Sequence, residues 1–300
     1  MNKKQYKITF IDLFSGIGGF RLGMEMAGHI CLGHCEIDKF AEKSYRAMHN
    51  VKEGEWYAED ITKIGARELP KADCWCFGFP CQNISSAGKQ GGLHGEKSGL
   101  FFEVIRLLEQ TEEENRPEWL FIENVRNLLS IKKGFDFAEI LIALDKIGYD
   151  AEWQVLDSAH FGVPQHRERL YIVGHIRGKS RRKIFPINRK VQSNAIKQIG
   201  NIARGKWKNP TTGRIYDVNG ISPTLVCNNG GNHEVKILTE KYGEKTIRKL
   251  TPKEYFKLQG FPDSYFKKAK IVNSDFQLYK QAGNSVTVNV VYEIAKKIGC

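Results

Sequence analysis

The sequence predicts an α/β fold built on a doubly wound, mostly parallel sheet, with a smaller loop-rich domain attached. Three observations predict it. Short apolar runs alternate with helical patterns through the first half of the chain. A glycine turn, "FSGIGGF", follows the first run directly. The alternation then stops after residue 178 and resumes only near the end. Strands alternating with helices imply βαβ units and a parallel sheet covered on both faces.

Taken in order, "YKITFIDLF" reads as a strand and "GGFRLGMEMAG" as a helix ending at Gly28. "ICLGHCEID" is a strand and "KFAEKSYRAMH" a helix. "ADCWCFGF" is a strand, "LFFEVIRLLEQ" a helix, "EWLFIENV" a strand and "FAEILIALDKIG" a helix. "RLYIVGHI" closes the series as a strand. Residues 179 to 233 hold the turn signals "KNP", "TTG", "VNG" and "NNGGN" and no long helical period. "SVTVNVVYEIAKKI" is apolar at helical spacing again and reads as a helix returning to the first domain.

Three hundred residues with 41% hydrophobic and 27% charged side chains make an ordinary globular chain. No apolar run approaches the ~20 residues that span a bilayer. The opening segment carries Asp12 and runs into glycines, so it reads as a strand and not as a signal peptide. The net charge of +12 is concentrated in "HIRGKSRRKIFPINRK" and "IARGKWKNPTTGR", which favours a polyanionic partner over a generally basic surface. Seven cysteines, an odd number, point to reduced thiols in a cytoplasm. Cys74 and Cys76 alternate with Trp75 and Phe77 as in a buried strand. No second paired cluster completes a zinc site, and no metal is expected.

Ligands of such sheets bind beyond the carboxyl ends of the strands. Gly16, Gly18 and Gly19 stand there, after the first strand. Glu36 ends the second strand, where a carboxylate commonly binds ribose hydroxyls. A dinucleotide fingerprint would need glycine at position 21, which is arginine. A nucleoside cofactor without a pyrophosphate, such as S-adenosylmethionine, fits better; a purely structural turn is the alternative.

"GFPCQNISSAGKQGG" puts Cys81 at the carboxyl edge of the sheet, behind Pro80, in a polar glycine-rich loop. An inert thiol belongs among packing partners, which this loop lacks. A free thiol has a pKa of ~8.5 and becomes a nucleophile where the surroundings favour thiolate. Glu123 in "FIENV" follows apolar residues at a strand end, where desolvation suits a carboxyl to proton donation. In "QHRERLYIVG", Gln165, Arg167 and Arg169 alternate, so a strand points both guanidiniums to one side. An ion-paired cap and a solvated charged turn are the bland readings of these two stretches.

These stretches together resemble the bacterial DNA (cytosine-5)-methyltransferases of restriction–modification systems. "DLFSGIGGFRLG", "GFPCQNIS", "ENVRNLL", "QHRERLYIVG", "RKLTPKEYFKLQGFP" and "QAGNSV" are similar to that family's motifs, in its order and nearly end to end. Ile84 stands where the family often has an aromatic. The resemblance implies the class I S-adenosylmethionine-dependent methyltransferase fold, with residues 1–178 and 276–300 as the catalytic domain and 179–275 as the target-recognition domain. It implies that Phe14, Gly16, Gly18, Gly19, Glu36, Ile37, Asp60, Ile61, Pro80, Asn284 and Ser285 hold S-adenosyl-L-methionine, released as S-adenosyl-L-homocysteine. Glu36 would take the ribose, Asp60 and Ile61 the adenine, and Asn284 and Ser285 the methionine end.

It further implies that Cys81 attacks C6 of a flipped cytosine, while Glu123 meets N3 and the exocyclic amine and Arg169 meets O2. Arg167 would support the site, and Ser85, Lys89, Gln165, Arg204, Arg214 and Thr224 would meet DNA. The expected partners are double-stranded DNA and a separately acting restriction endonuclease, with no membrane, for a cytoplasmic monomer. An RNA cytosine methyltransferase of the same fold and a catalytically silent DNA-binding regulator remain the rival readings. The presence of Cys81, Glu123 and Arg169 disfavours the second.

Overall fold

The computed structural model describes residues 6–80, 99–179, 182–188, 195–203, 209–227, 233–241 and 243–299. Cys81, Ser85, Lys89 and Arg204 lie outside the described residues. The first sheet is formed by β1 (Thr9–Leu13), β2 (Ile30–Cys35), β3 (Trp56–Ala58), β4 (Cys74–Phe77), β5 (Trp119–Val125), β6 (Tyr149–Asp157) and β7 (Glu168–Ile176). Its order is β3-β2-β1-β4-β5-β7-β6. The first five strands are parallel, and β7 runs antiparallel to both β5 and β6. The sequence reading lacked β3 and β6. The β6–β7 connection is short, which an antiparallel pair permits and a parallel crossover does not.

Strand order reverses at β1, with β2 on one side and β4 on the other. That reversal is where ligands settle in doubly wound sheets. The glycine turn follows β1 and the stretch leading to Cys81 follows β4, so the topology brings the two together.

Side chains alternate across the sheet and bury both faces, as parallel strands require. On one face Ile11, Leu13, Trp75, Phe77, Leu120 and Ile122 pack with α3 (Leu100–Gln110) and α4 (Phe135–Lys146). On the other, Phe10, Cys74, Cys76, Phe121 and Val173 pack with α1 (Gly19–Met26) and α8 (Val288–Ala295). Thus the final helix returns to the first layer, and Val291 leaves no space for a side chain at Gly23. The sulfurs of Cys74 and Cys76 lie 3.8 Å apart in this core. Among the described residues no cluster of three or more His, Cys, Asp or Glu side chains could hold a metal.

The region read as loops contains a second sheet. It consists of β8 (Gln198–Asn201), β9 (Arg214–Asp217), β10 (Lys236–Lys241) and β11 (Glu244–Lys249), in the order β11-β10-β9-β8. Tyr216 and Ile237 from it join Ile17, Leu22 and Met48 of the first layer in a third core. Tyr255, Phe256, Ala269 and Leu278 complete that core from α5 (Pro252–Leu258), α6 (Asp263–Val272) and α7 (Asp275–Asn284). α2 (Lys39–Met48) lies against α6, and Asn273 just beyond α6 donates to the Phe40 carbonyl (2.8 Å) and Ser44 Oγ (2.9 Å). The strands are short and mostly polar and bury few side chains, so they form no apolar run.

Candidate active site

The glycine turn after β1 is built by backbone conformations that most residues avoid. Phe14, Gly16 and Gly18 all have positive φ, at 54°, 55° and 77°. Glycine adopts such angles freely, whereas an aromatic residue there is strained. A side chain at Gly18 would collide with the imidazole of His49, and one at Gly19 would lie 2.8 Å from Ser285 Oγ. A Cβ on Gly16, by contrast, would meet nothing. The loop is therefore packed tightly on one side and open at Gly16.

Glu36 fixes that open face. Its Oε2 accepts from the Gly16 N–H (2.6 Å) and its Oε1 from the Asp38 N–H (2.7 Å). It is 9% exposed, and burial pushes its carboxyl up from the ordinary range. Ile37 follows, an apolar residue with 65% of its surface exposed. Asp60 caps the one-turn helix Ile61–Lys63, and hydrogen bonds from Thr62 lower its pKa. Ile61 is buried in the core and offers no exposed side chain. Asn284 is exposed at the end of α7, while Ser285 is buried, its hydroxyl donating to the Val286 carbonyl at 3.0 Å.

The second half of the site lies over β4, β5 and β7. Glu123 Oε1 pairs with Arg169 Nε at 3.2 Å. Its Oε2 would be 3.2 Å from a Cβ on Gly78, so the carboxylate sits over the stretch that leads to Pro80. Burial raises the Glu123 pKa, and the charges of Arg169 and Arg167 oppose the rise without cancelling it. Asn124, which the sequence reading left without a role, donates to the Phe79 carbonyl at 3.2 Å and so holds the approach to Cys81. Its place beside Glu123 in "FIENV" was the available signal.

Arg167 does not face the same opening as Arg169. Its guanidinium donates to the carbonyls of Leu225 (3.1 Å), Gly283 (3.1 Å) and Ser285 (2.9 Å), with 2% exposure. It positions backbone rather than reaching outward. Gln165, expected at DNA, is fully buried. It donates to the Leu258 carbonyl (2.8 Å) and accepts from the Leu225 N–H (3.0 Å), so its amide braces the segment carrying Thr224. Thr224 donates to the His166 carbonyl at 2.7 Å, which seats it next to Arg167. Arg214 stands apart, at the start of β9, donating to the Asn209 carbonyl at 3.2 Å.

Two further residues had no role in the sequence reading. Asp12 is fully buried under the glycine turn. One of its oxygens accepts from the Arg21 N–H (3.3 Å), the other has no hydrogen-bond partner, and burial raises its pKa strongly. His49 is held neutral because burial lowers its pKa to about 3. Its Nε2 donates to the Ile17 carbonyl at 3.0 Å, inside the glycine turn. No periodicity marks either residue.

The chain matches the family model described as C-5 cytosine-specific DNA methylase over residues 8–221 and 212–300. It is 34% identical to the Type II methyltransferase M.DsaV of Dactylococcopsis salina over 322 residues, covering 99% of this chain and 87% of that protein. It is 31% identical to the Type II methyltransferase M.HhaI of Haemophilus parahaemolyticus over 336 residues, covering 99% and 96%. The solved structure of the S. pombe Dnmt2 methyltransferase superposes with a TM-score of 0.71 at 20% identity, covering 96% of this chain and 98% of that one, a likeness of fold.

Proposed function

The chain belongs to the C-5 cytosine-specific DNA methylase family and is a DNA cytosine-5 methyltransferase; from that premise we propose that it uses S-adenosylmethionine to methylate one cytosine within a short duplex site, through a bond between Cys81 and C6 of a base turned out of the helix. The observation that carries this reading is the buried Glu123 carboxyl, paired to Arg169 and set over Gly78 on the approach to Cys81.

The residues present fit the cofactor. Gly16 leaves open space, Glu36 is a buried carboxylate beside it, Ile37 is an exposed apolar surface, and Asn284 is exposed across the loop. Phe14, Gly18, Gly19, Asp60, Ile61, Pro80 and Ser285 complete the proposed holding set. S-adenosylmethionine supplies an electrophilic methyl group when bound. Cys81 adds as thiolate to C6 of the cytosine. Glu123, which burial disposes to carry a proton, gives it to N3, and Arg169 holds O2. The electron density pushed to C5 makes that carbon a nucleophile. C5 takes the methyl group, water takes the C5 proton, Cys81 leaves as thiolate, and N3 returns its proton to Glu123, which restores the ring.

Residues 1–178 and 276–300 would carry the chemistry, and 179–275 the target recognition, with β8–β11 as its frame. Thr224 and Arg214 would meet DNA from that side, together with Ser85, Lys89 and Arg204. The Type II name of the relatives supports a restriction–modification role beside a separate endonuclease. A monomer in the cytoplasm is consistent with this role. No helix among the described residues is long and apolar enough to cross a membrane.

The test is a duplex carrying cytosine with fluorine at C5. Fluorine cannot leave as a proton does, so the reaction should stall after methyl transfer. We expect a denaturation-resistant protein–DNA adduct that requires S-adenosylmethionine and disappears in Cys81→Ser. An adduct that persists in Cys81→Ser removes the assignment of the nucleophile.

A further inference from the structure

We propose that the turn Lys132–Lys133–Gly134 is a docking surface for the sugar–phosphate backbone of the substrate duplex, on one flank of the target base. Among the described residues only three that are not glycine have positive φ. One is Phe14, in the cofactor loop. The other two are Lys132 (φ 47°) and Lys133 (φ 60°), directly before Gly134 (φ 88°). Strain of this kind persists where the surroundings impose it, and it gathers at functional sites. Glycine would make the same turn without strain, and the chain has one at the next position. Lysine at both strained positions means that the side chains are wanted there. Both are exposed, and Phe135 follows them with 72% of its surface open.

The turn lies beyond the carboxyl end of β5, the strand that carries Glu123. From Glu123, β5 runs into a single-turn helix, Arg126–Leu129, and then into the left-handed turn within Ile131–Gly134. Arg126 pins the first to β7 through Glu168 at 2.6 Å, one residue before Arg169. Ten residues at a rise of ~2 Å each put the turn within roughly 20 Å of Glu123. Phosphates recur every ~3.4 Å along one strand, so that reach covers about six base pairs from the flipped base. Two ammonium groups and an apolar ring suit phosphates and the sugar edges between them. Lys132 also lies 3.4 Å from Asp136 Oδ1, a partner that a phosphate would displace or share.

The proposal rests on the reading of the chain as a methyltransferase acting on duplex DNA. The test uses the full chain, labelled S-adenosylmethionine and unmethylated bacterial genomic DNA, with KM measured over a range of salt. Two double variants are compared with the wild type. Lys132→Ala/Lys133→Ala removes the charges and keeps the strain, while Lys132→Gly/Lys133→Gly removes both. In each variant KM for DNA should rise several-fold with kcat unchanged. The slope of log KM against log salt should fall by roughly 2, at ~0.9 per lost phosphate contact. The glycine variant should in addition melt above the wild type, because its strain is gone. Active variants with an unchanged slope would overturn the docking surface alone, as would a glycine variant with wild-type KM. A wild-type chain inert on DNA would overturn the function and this surface together.

Discussion

Glu123 Oε1 lies 3.2 Å from Arg169 Nε, across the antiparallel pair of β5 and β7, and each side chain keeps 15% of its surface open. Two forces act on this carboxyl in opposite directions. Burial disfavours its charge and the guanidiniums favour it, and the net shift is upward. The site therefore keeps a carboxyl readier to hold a proton than an exposed one, beside a cation that can still orient it.

The upward shift makes a prediction about stability. A carboxyl whose folded pKa is raised binds its proton more tightly when folded. Its charged form thus costs stability once pH exceeds the folded value, and that cost vanishes below the ordinary carboxyl range of ~4.3. Glu123→Gln should melt at or above the wild-type temperature at neutral pH and converge with it near pH 3. Methyl transfer should fall sharply while DNA affinity changes little. Thermal melts across pH, with binding and rate measured on the same proteins, check all three. A variant less stable than wild type at pH 7 would mean that the Arg169 pair outweighs burial.

The cofactor contact predicts a binding loss without unfolding. Glu36→Ala removes a buried acceptor next to the open face of Gly16. Affinity for S-adenosylmethionine should drop by ~1.5–3 kcal/mol, the range for hydrogen bonds to a charged group. Calorimetric titration reads it directly, and equal affinities would remove Glu36 from the ribose.

The contact of Gly18 with His49 predicts non-additivity. Gly18→Ala drives a methyl into the imidazole at a positive φ, so cofactor binding should be lost. His49→Ala frees that space but releases the Ile17 carbonyl, a smaller loss. The double variant should bind better than the sum of the two losses allows, by more than ~0.5 kcal/mol of coupling. Additive losses would show that backbone strain, and not the imidazole, forbids a side chain there.

The first layer was legible in the sequence because its physics is local. β1, β2, β4 and β5 are continuous apolar runs, and α1 to α4 have helical apolar spacing or a cap such as Asp38. Glu36 and Glu123 could be found because they end such runs. The second sheet was not legible, since β10 and β11 carry mostly polar residues, and of the two only β10 reaches the third core, through Ile237. α5 did offer a signal that went unread: Thr251, Pro252 and Glu254 form a capping box with proline at the first turn. The inward turn of Gln165 and Arg167 was hidden for another reason. Alternation gives a side of the strand, but the carbonyls that capture these side chains come from residues up to 118 positions away.

Those long-range captures bear on when the enzyme becomes active during its own synthesis. Arg167 closes on Gly283 and Ser285, Gly19 packs against Ser285 and Val286, and Gly23 packs against Val291. The glycine turn is made before the residues of the α7–α8 segment that it packs against. A nascent chain can therefore carry Cys81, Glu123 and the whole glycine turn and still have an unfinished centre. The centre is complete only once α7 and α8 have packed against it.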